Sequence, residues 1–132
     1  MGPRRACILV LIAATLAGCG SDDNGETAET SGTDSAAAIG QDAEAKADAR
    51  EFTTYAEACF VDQLDYSACM EPDGAQAEAP TAEMESADAS TYTVVATSDS
   101  GNEFRVTKAK SGELVRECTT AGEGGCPADG AW

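Results

Sequence analysis

The sequence predicts an α+β fold, with one helix packed on a small antiparallel sheet of three to four strands and the whole stapled by disulfides. Three observations predict it. Residues 41–63 are rich in Ala, contain no Gly or Pro, and repeat small and apolar side chains at helical spacing. Residues 91–118 change to β-branched and alternating patterns punctuated by turn residues. Cys59, Cys69, Cys118 and Cys126 lie within or beside these two stretches, an even number suited to cross-linking. Size and composition require such staples. Of 132 residues 42% are nominally hydrophobic, but 26 are Ala and 6 are Cys, so 24 larger apolar or aromatic side chains remain, 7 of them in residues 1–16. The core must be small.

Residues 1–18 come first. Arg4 and Arg5 precede a short apolar run, Ile8 to Leu16, and small residues Ala17 and Gly18 lead to Cys19. A basic start, a short apolar run and a small-residue end make a signal peptide, and the run falls well short of the ~20 apolar residues a membrane span needs. Leu16-Ala17-Gly18-Cys19 resembles the lipobox of bacterial lipoproteins at all four positions. That resemblance implies cleavage between Gly18 and Cys19, diacylation of the Cys19 thiol, and lipid anchoring (palmitate or a similar chain) at the extracytoplasmic face of a bacterial membrane. Removal of Arg4 and Arg5 would leave 6 basic and 24 acidic residues, hence 6 − 24 = −18.

Cys19 and the tract Gly20 to Gly40, GSDDNGETAETSGTDSAAAIG, have Ile39 as their only large apolar residue and are expected to form a disordered acidic tether. Asp22-Asp23-Asn24-Gly25-Glu26 lacks the ligand alternation of a calcium loop. The globular domain is then 41–132.

Its helix should present Ala45, Ala49, Phe52, Ala56, Cys59 and Gln63 on one face with Tyr55 and Phe60 alongside, and Asp42, Glu44 and Asp48 near its start should complement the helix dipole. It should end near Leu64-Asp65, before Tyr66-Ser67-Ala68-Cys69 turns back. Glu71 to Ser90 contains Pro72, Asp73-Gly74 and Pro80 and reads as a long loop with a short irregular strand around Ala82 to Ala87. A three-stranded meander follows, with turns at Asp99-Ser100-Gly101-Asn102 and Ser111-Gly112 and with Tyr92, Val94, Ala96, Phe104, Val106, Leu114 and Cys118 facing the helix. Four thiols allow three connectivities. The local one, Cys59 to Cys69 and Cys118 to Cys126, is preferred because it closes two short loops; zinc is disfavoured by Cys spacings longer than metal knuckles use and by an oxidising compartment.

The segments AKADAREFTTYAEACFVDQLDYSAC, TYTVVATSDSGNEFRVTKAKSGELVREC and CTTAGEGGCPADGAW resemble the globular part of type IV pilins and type II secretion pseudopilins, over about residues 45–132. The most specific pieces are Glu57-Ala58-Cys59 with Asp65 to Cys69, Tyr92 to Ala96, and Cys118 to Trp132. The resemblance implies a helix laid across an antiparallel sheet with the last loop closed by a disulfide, which supports the local pairing, and it makes pilus or type II secretion components the expected partners. The Gly-Phe-Thr-Leu-Ile-Glu cleavage motif and long apolar helix of pilins are absent, and a lipobox and tether stand in their place.

Charge and chemistry narrow the function. With 24 acidic and 8 basic residues the net charge is −16, which opposes binding to nucleic acid or to anionic lipid head groups. There is no His, which removes the commonest acid/base group near neutral pH and every Ser/His/Asp or Cys/His arrangement. Asp62 with Asp65 and Glu83 with Glu85 read as solvated charge. Arg105, Lys108 and Lys110 form a basic cluster on a hairpin, read as edge-strand protection. Trp132 is expected to pack over the terminal Cys loop. No cofactor or metal is expected. The expectation is therefore a non-enzymatic, lipid-anchored protein making protein contacts through Glu71 to Ser90 and Thr119 to Pro127, with a ligand-binding or adhesive surface module as the alternative.

Overall fold

The computed structural model describes residues 30–132, with side chains from Ser35 onward. The expected signal peptide, Gly18–Cys19 cleavage point, lipidation at Cys19 and first part of the tether lie outside the described residues. One long helix, α1 (Thr30–Gln63), is followed by a 3-10 turn (Tyr66–Cys69), a one-turn helix α2 (Ala75–Glu78) and strands β1 (Ala82–Ala87), β2 (Tyr92–Thr97), β3 (Glu103–Lys108) and β4 (Leu114–Cys118). The strands form a single antiparallel sheet in chain order, and α1 lies across β1, β2 and β3. The α+β expectation is met, with four strands.

α1 begins at Thr30, so the second half of the expected tether is helical. The tract has too little apolar surface to order by burial, and it holds Gly32 and Gly40. A Gly inside a helix costs only about 1 kcal/mol, and extending a helix already held by packing adds a hydrogen bond per residue without a new nucleus. From Ser35 to Gly40 every residue except Ala38 is exposed. The packed part starts at Asp42, which is therefore mid-helix and not a partner of the helix dipole.

Against the sheet α1 presents Ala45, Ala49, Phe52 and Ala56, all buried. Three Ala let the helix axis approach closely, and Phe52 is the large side chain that fills the interval. The sheet answers with Ala82 and Met84, Tyr92, Val94 and Ala96, Phe104 and Val106. Tyr55 and Phe60 are partly buried against this core, and Gln63 is exposed.

The Glu71 to Ser90 segment holds the irregular strand expected around Ala82 to Ala87, as β1, and in addition the short helix α2. In β1 the register shifts between Met84 and Ser86, so Glu85 is the extra residue of a β-bulge. Without the bulge Ser86 would take the inward position; with it Ala87 does. Leu114, expected inside, is exposed. Its parity is right, since it pairs with Lys108 as Arg116 pairs with the inward Val106, but β4 is the sheet edge, beyond the strands that α1 covers.

Both disulfides have the local pairing, Cys59 to Cys69 and Cys118 to Cys126, with Cα atoms 5.9 and 5.8 Å apart. The first joins the last turns of α1 to the 3-10 turn, which Asp65 caps by accepting Ser67 N–H at 2.9 Å. The second closes the terminal loop, itself bound to β4 through Cys118 N–H to Gly130 O (2.8 Å) and an isolated bridge between Glu117 and Ala131.

Candidate functional site

Two polar clusters join α1 to the sheet. In the first, Glu57 of α1 accepts from Tyr66 (2.8 Å), Tyr92 (2.8 Å) and Lys108, whose ammonium lies 2.8 and 2.9 Å from the two carboxylate oxygens and 2.6 Å from the Tyr66 oxygen. Burial works against the Glu57 carboxylate, but the hydrogen bonds from Lys108, Tyr66 and Tyr92 outweigh it and the group titrates below its ordinary value. Burial likewise opposes the Lys108 ammonium, and its bonds to Glu57 and Tyr66 more than reverse that. Burial first, and then the neighbouring carboxylate, push the Tyr66 and Tyr92 phenols up, so both stay protonated. Every member is locked in its ordinary charge state, which suits a clamp between helix and sheet better than a proton-transfer group.

The second cluster centres on Asp42, fully buried on α1. Its carboxylate accepts from the Ser100 hydroxyl, from Asn102 Nδ2 (2.8 Å) and from Gly125 N–H (2.7 Å), and Lys46 on the next turn donates to Gly125 O. Burial disfavours the charge here too, but the hydrogen bonds from Ser100, Ser98, Gly125 and Asn102 hold the carboxyl below its ordinary value. Asp42 thus ties α1 to the β2–β3 turn and to the terminal Cys loop. Gly125 is needed at that point, because a Cβ there would lie 2.8 Å from Asp42 Cβ. A legible trace of this hub existed: Asp42 continues the 45, 49, 52, 56 stripe by one step, a polar residue in an apolar register. Asp48 similarly accepts from Thr81 N–H (3.0 Å) and hydroxyl (2.7 Å) at the start of β1.

The basic cluster expected on the hairpin is dispersed. β3 is interior to the sheet, so Arg105 and Lys108 guard no edge; Arg105 pairs with Glu85 (2.5 Å) and Glu103 (3.0 Å) on the outer face, while Lys108 turns inward to Glu57. Glu85 is therefore ion-paired, and Asp65 is the cap of the 3-10 turn. Trp132 packs edge-on against Phe104 with ring centroids 5.6 Å apart, flanked by the Arg50 and Arg116 guanidinium groups at 5.0 and 5.9 Å, and its indole N–H donates to Glu117 O at 2.9 Å. That is a clamp on the seam between α1 and β4.

The Cys59–Cys69 corner is open to solvent. Two clefts share the wall formed by Ala68, Glu71 and Pro72. The smaller, about 320 Å³, lies between the last turns of α1 and residues 71–73, with Asp62 and Asp73 on its rim. The larger, about 660 Å³, has Phe52, Met70, Ala75 and Met84 among its lining and Glu71, Glu83 and Gln76 at its edges. Met70 is 38% exposed, and Val61 and Leu64, which bracket Asp62 and Gln63, are 74% and 72% exposed. The Glu71 to Ser90 segment named from the sequence forms much of these walls. Thr119 to Pro127, the other named segment, is anchored to Asp42 and Lys46.

No family model matches this chain, and no curated protein or solved structure does. Likeness to pilins therefore rests on the residues alone. Among the described residues no group of His, Cys, Asp and Glu is arranged to hold a metal ion, and no helix is long and apolar enough to cross a membrane.

Proposed function

We propose that this chain is exported, is held by acyl groups on Cys19 at the outer face of a bacterial membrane, and uses its disulfide-stapled, pilin-like domain as a protein-contact module. The observation that carries the contact role is the corner at Cys59–Cys69, where Val61, Leu64 and Met70 stand exposed beside two clefts; the other exposed large apolar side chains among the described residues, Ile39, Leu114 and Val115, lie on the first part of α1 and on β4. The bridge holds the two limbs of that corner in one arrangement, so little conformational freedom is lost when a partner docks. Disulfides at both ends of the domain suit an oxidising compartment. Pilus or type II secretion components are the partners the sequence motifs favour.

Mass measurement of the mature N-terminus tests the anchor: the expected species begins at Cys19 and carries acyl chains, and a chain retaining Met1 removes the anchor from the proposal. Photo-crosslinking from Gln76 in the native host tests the contact role, with a pilin or secretion component as the expected product. A second reading, a ligand-binding or adhesive module, is favoured by the size of the larger cleft, which falls in the range of small-molecule sites. A defined small ligand protecting Met84, with no protein adduct at Gln76, selects it.

A further inference from the structure

We infer that the larger cleft takes an extended, cationic segment of a partner protein, one alternating Lys or Arg with aliphatic side chains; this rests on the contact role proposed above and specifies the occupant. The floor is apolar and adaptable, with Phe52 and Ala75 beneath and the unbranched side chains of Met70 and Met84 at the two sides. One wall is Glu83–Met84 of β1, the first strand of the sheet, which pairs only with β2, so a segment in the groove lies along a strand edge, and an extended conformation suits it. Charge selects the sign. Glu71 and Glu83 border this cleft, Asp62 and Asp73 border its neighbour, no Lys or Arg lines either, and none of the four carboxylates has an ion pair among the described residues. Arg105 and Lys108 are engaged by Glu85, Glu103 and Glu57.

The same electrostatics argue against the chain's own copies and its own tail. A second copy of the chain cleaved before Cys19 brings another net charge of 6 − 24 = −18, and Gly20 to Glu29 contains Asp22, Asp23, Glu26 and Glu29 with no basic residue. A cationic segment is drawn by the field of the whole molecule and then meets local carboxylates around an apolar floor.

Met70 and Met84 are two of three methionines, so methyl labelling of Met in the full chain reads the groove almost alone. The probes are two synthetic peptides of about six residues, the length of an ordinary strand, one alternating Lys and Val and the other Glu and Val. The Lys peptide is expected to shift both methyl signals, and Glu71→Gln with Glu83→Gln to weaken it about three- to tenfold. Glu113→Gln with Glu117→Gln, which removes the same charge from β4 and its turn, is expected to weaken it less than twofold. Equal shifts with the Glu peptide, or equal weakening by both double variants, overturn the cationic occupant while leaving the groove a contact surface. Shifts that grow with protein concentration alone identify a second copy and also overturn it. Silence at both methyls with the Lys and the Glu peptide alike overturns this inference and the contact role of the groove together.

Discussion

Glu57 shows how one side chain can hold two layers together. It gathers a cation from β3 and phenols from β2 and the 3-10 turn, so removing its charge leaves Lys108 without its counter-charge. Glu57→Gln is expected to lower unfolding free energy by about 1–2 kcal/mol, a modest loss because both members of the pair keep some exposure. Urea denaturation measures it, and a change below a few tenths of a kcal/mol would show that the cluster only decorates the seam. Leu64 is the opposite case. It sits in the left-handed region at φ +56, where a branched side chain crowds the backbone, and most of its surface is already in water. Leu64→Gly is expected to stabilise the fold by about 0.5–1 kcal/mol, since the relief exceeds both the small burial lost and the added freedom of the unfolded chain; a drop in melting temperature would refute it.

Among the elements, α1 is the one on which everything else is registered. Its Ala stripe seats the sheet, Asp48 places the start of β1, Glu57 holds β2 and β3, and Asp42 reaches the β2–β3 turn and the terminal loop. The two disulfides span sequence separations of 10 and 8, and on the loop-entropy argument each contributes about 2.5 kcal/mol. Paired Cys→Ser variants separate their roles. Loss of Cys59–Cys69 is expected to free the cleft corner and give rapid amide exchange across Tyr66–Cys69. Loss of Cys118–Cys126 should leave that corner protected and expose instead the Gly125 amide that Asp42 holds. Loss of protection throughout the chain in either variant would mean that the small core cannot stand with one staple.

For the whole molecule, the titrations add in a direction that can be stated. Asp42 and Glu57 titrate below 3.8 and 4.5 when folded, so their stabilisation is complete above those values and is lost as pH falls through the lower, folded ones. Lys108 titrates above 10.5 when folded, and its contribution is lost as pH rises through that higher value. Tyr66 and Tyr92 act in the same sense, because the unfolded chain releases phenol protons above 10.0 that the folded chain retains. The denaturant midpoint is expected to be level between about pH 5 and pH 10 and to fall on both sides. Asp42→Asn should flatten the acid limb and leave the alkaline limb in place; an unchanged acid limb would remove Asp42 from the account.

Much of this protein was legible in its residues. Composition settled that the core is small, helical and alternating patterns located α1 and β2 to β4, and the inward residues Tyr92, Val94, Ala96, Phe104 and Val106 followed from parity. Such features depend on neighbours a few positions apart, and local spacing is what a sequence displays. The bulge in β1 and the exposure of Leu114 were not legible, because each depends on what lies across the sheet from it, and the backward extension of α1 was not, because it grows from a helix that packing further along the chain already holds. The Glu57 and Asp42 clusters and the cleft at Met70 and Met84 join residues tens of positions apart, and only the folded chain decided them: a hydrogen bond or a groove exists between atoms brought together in space, whatever their distance along the chain.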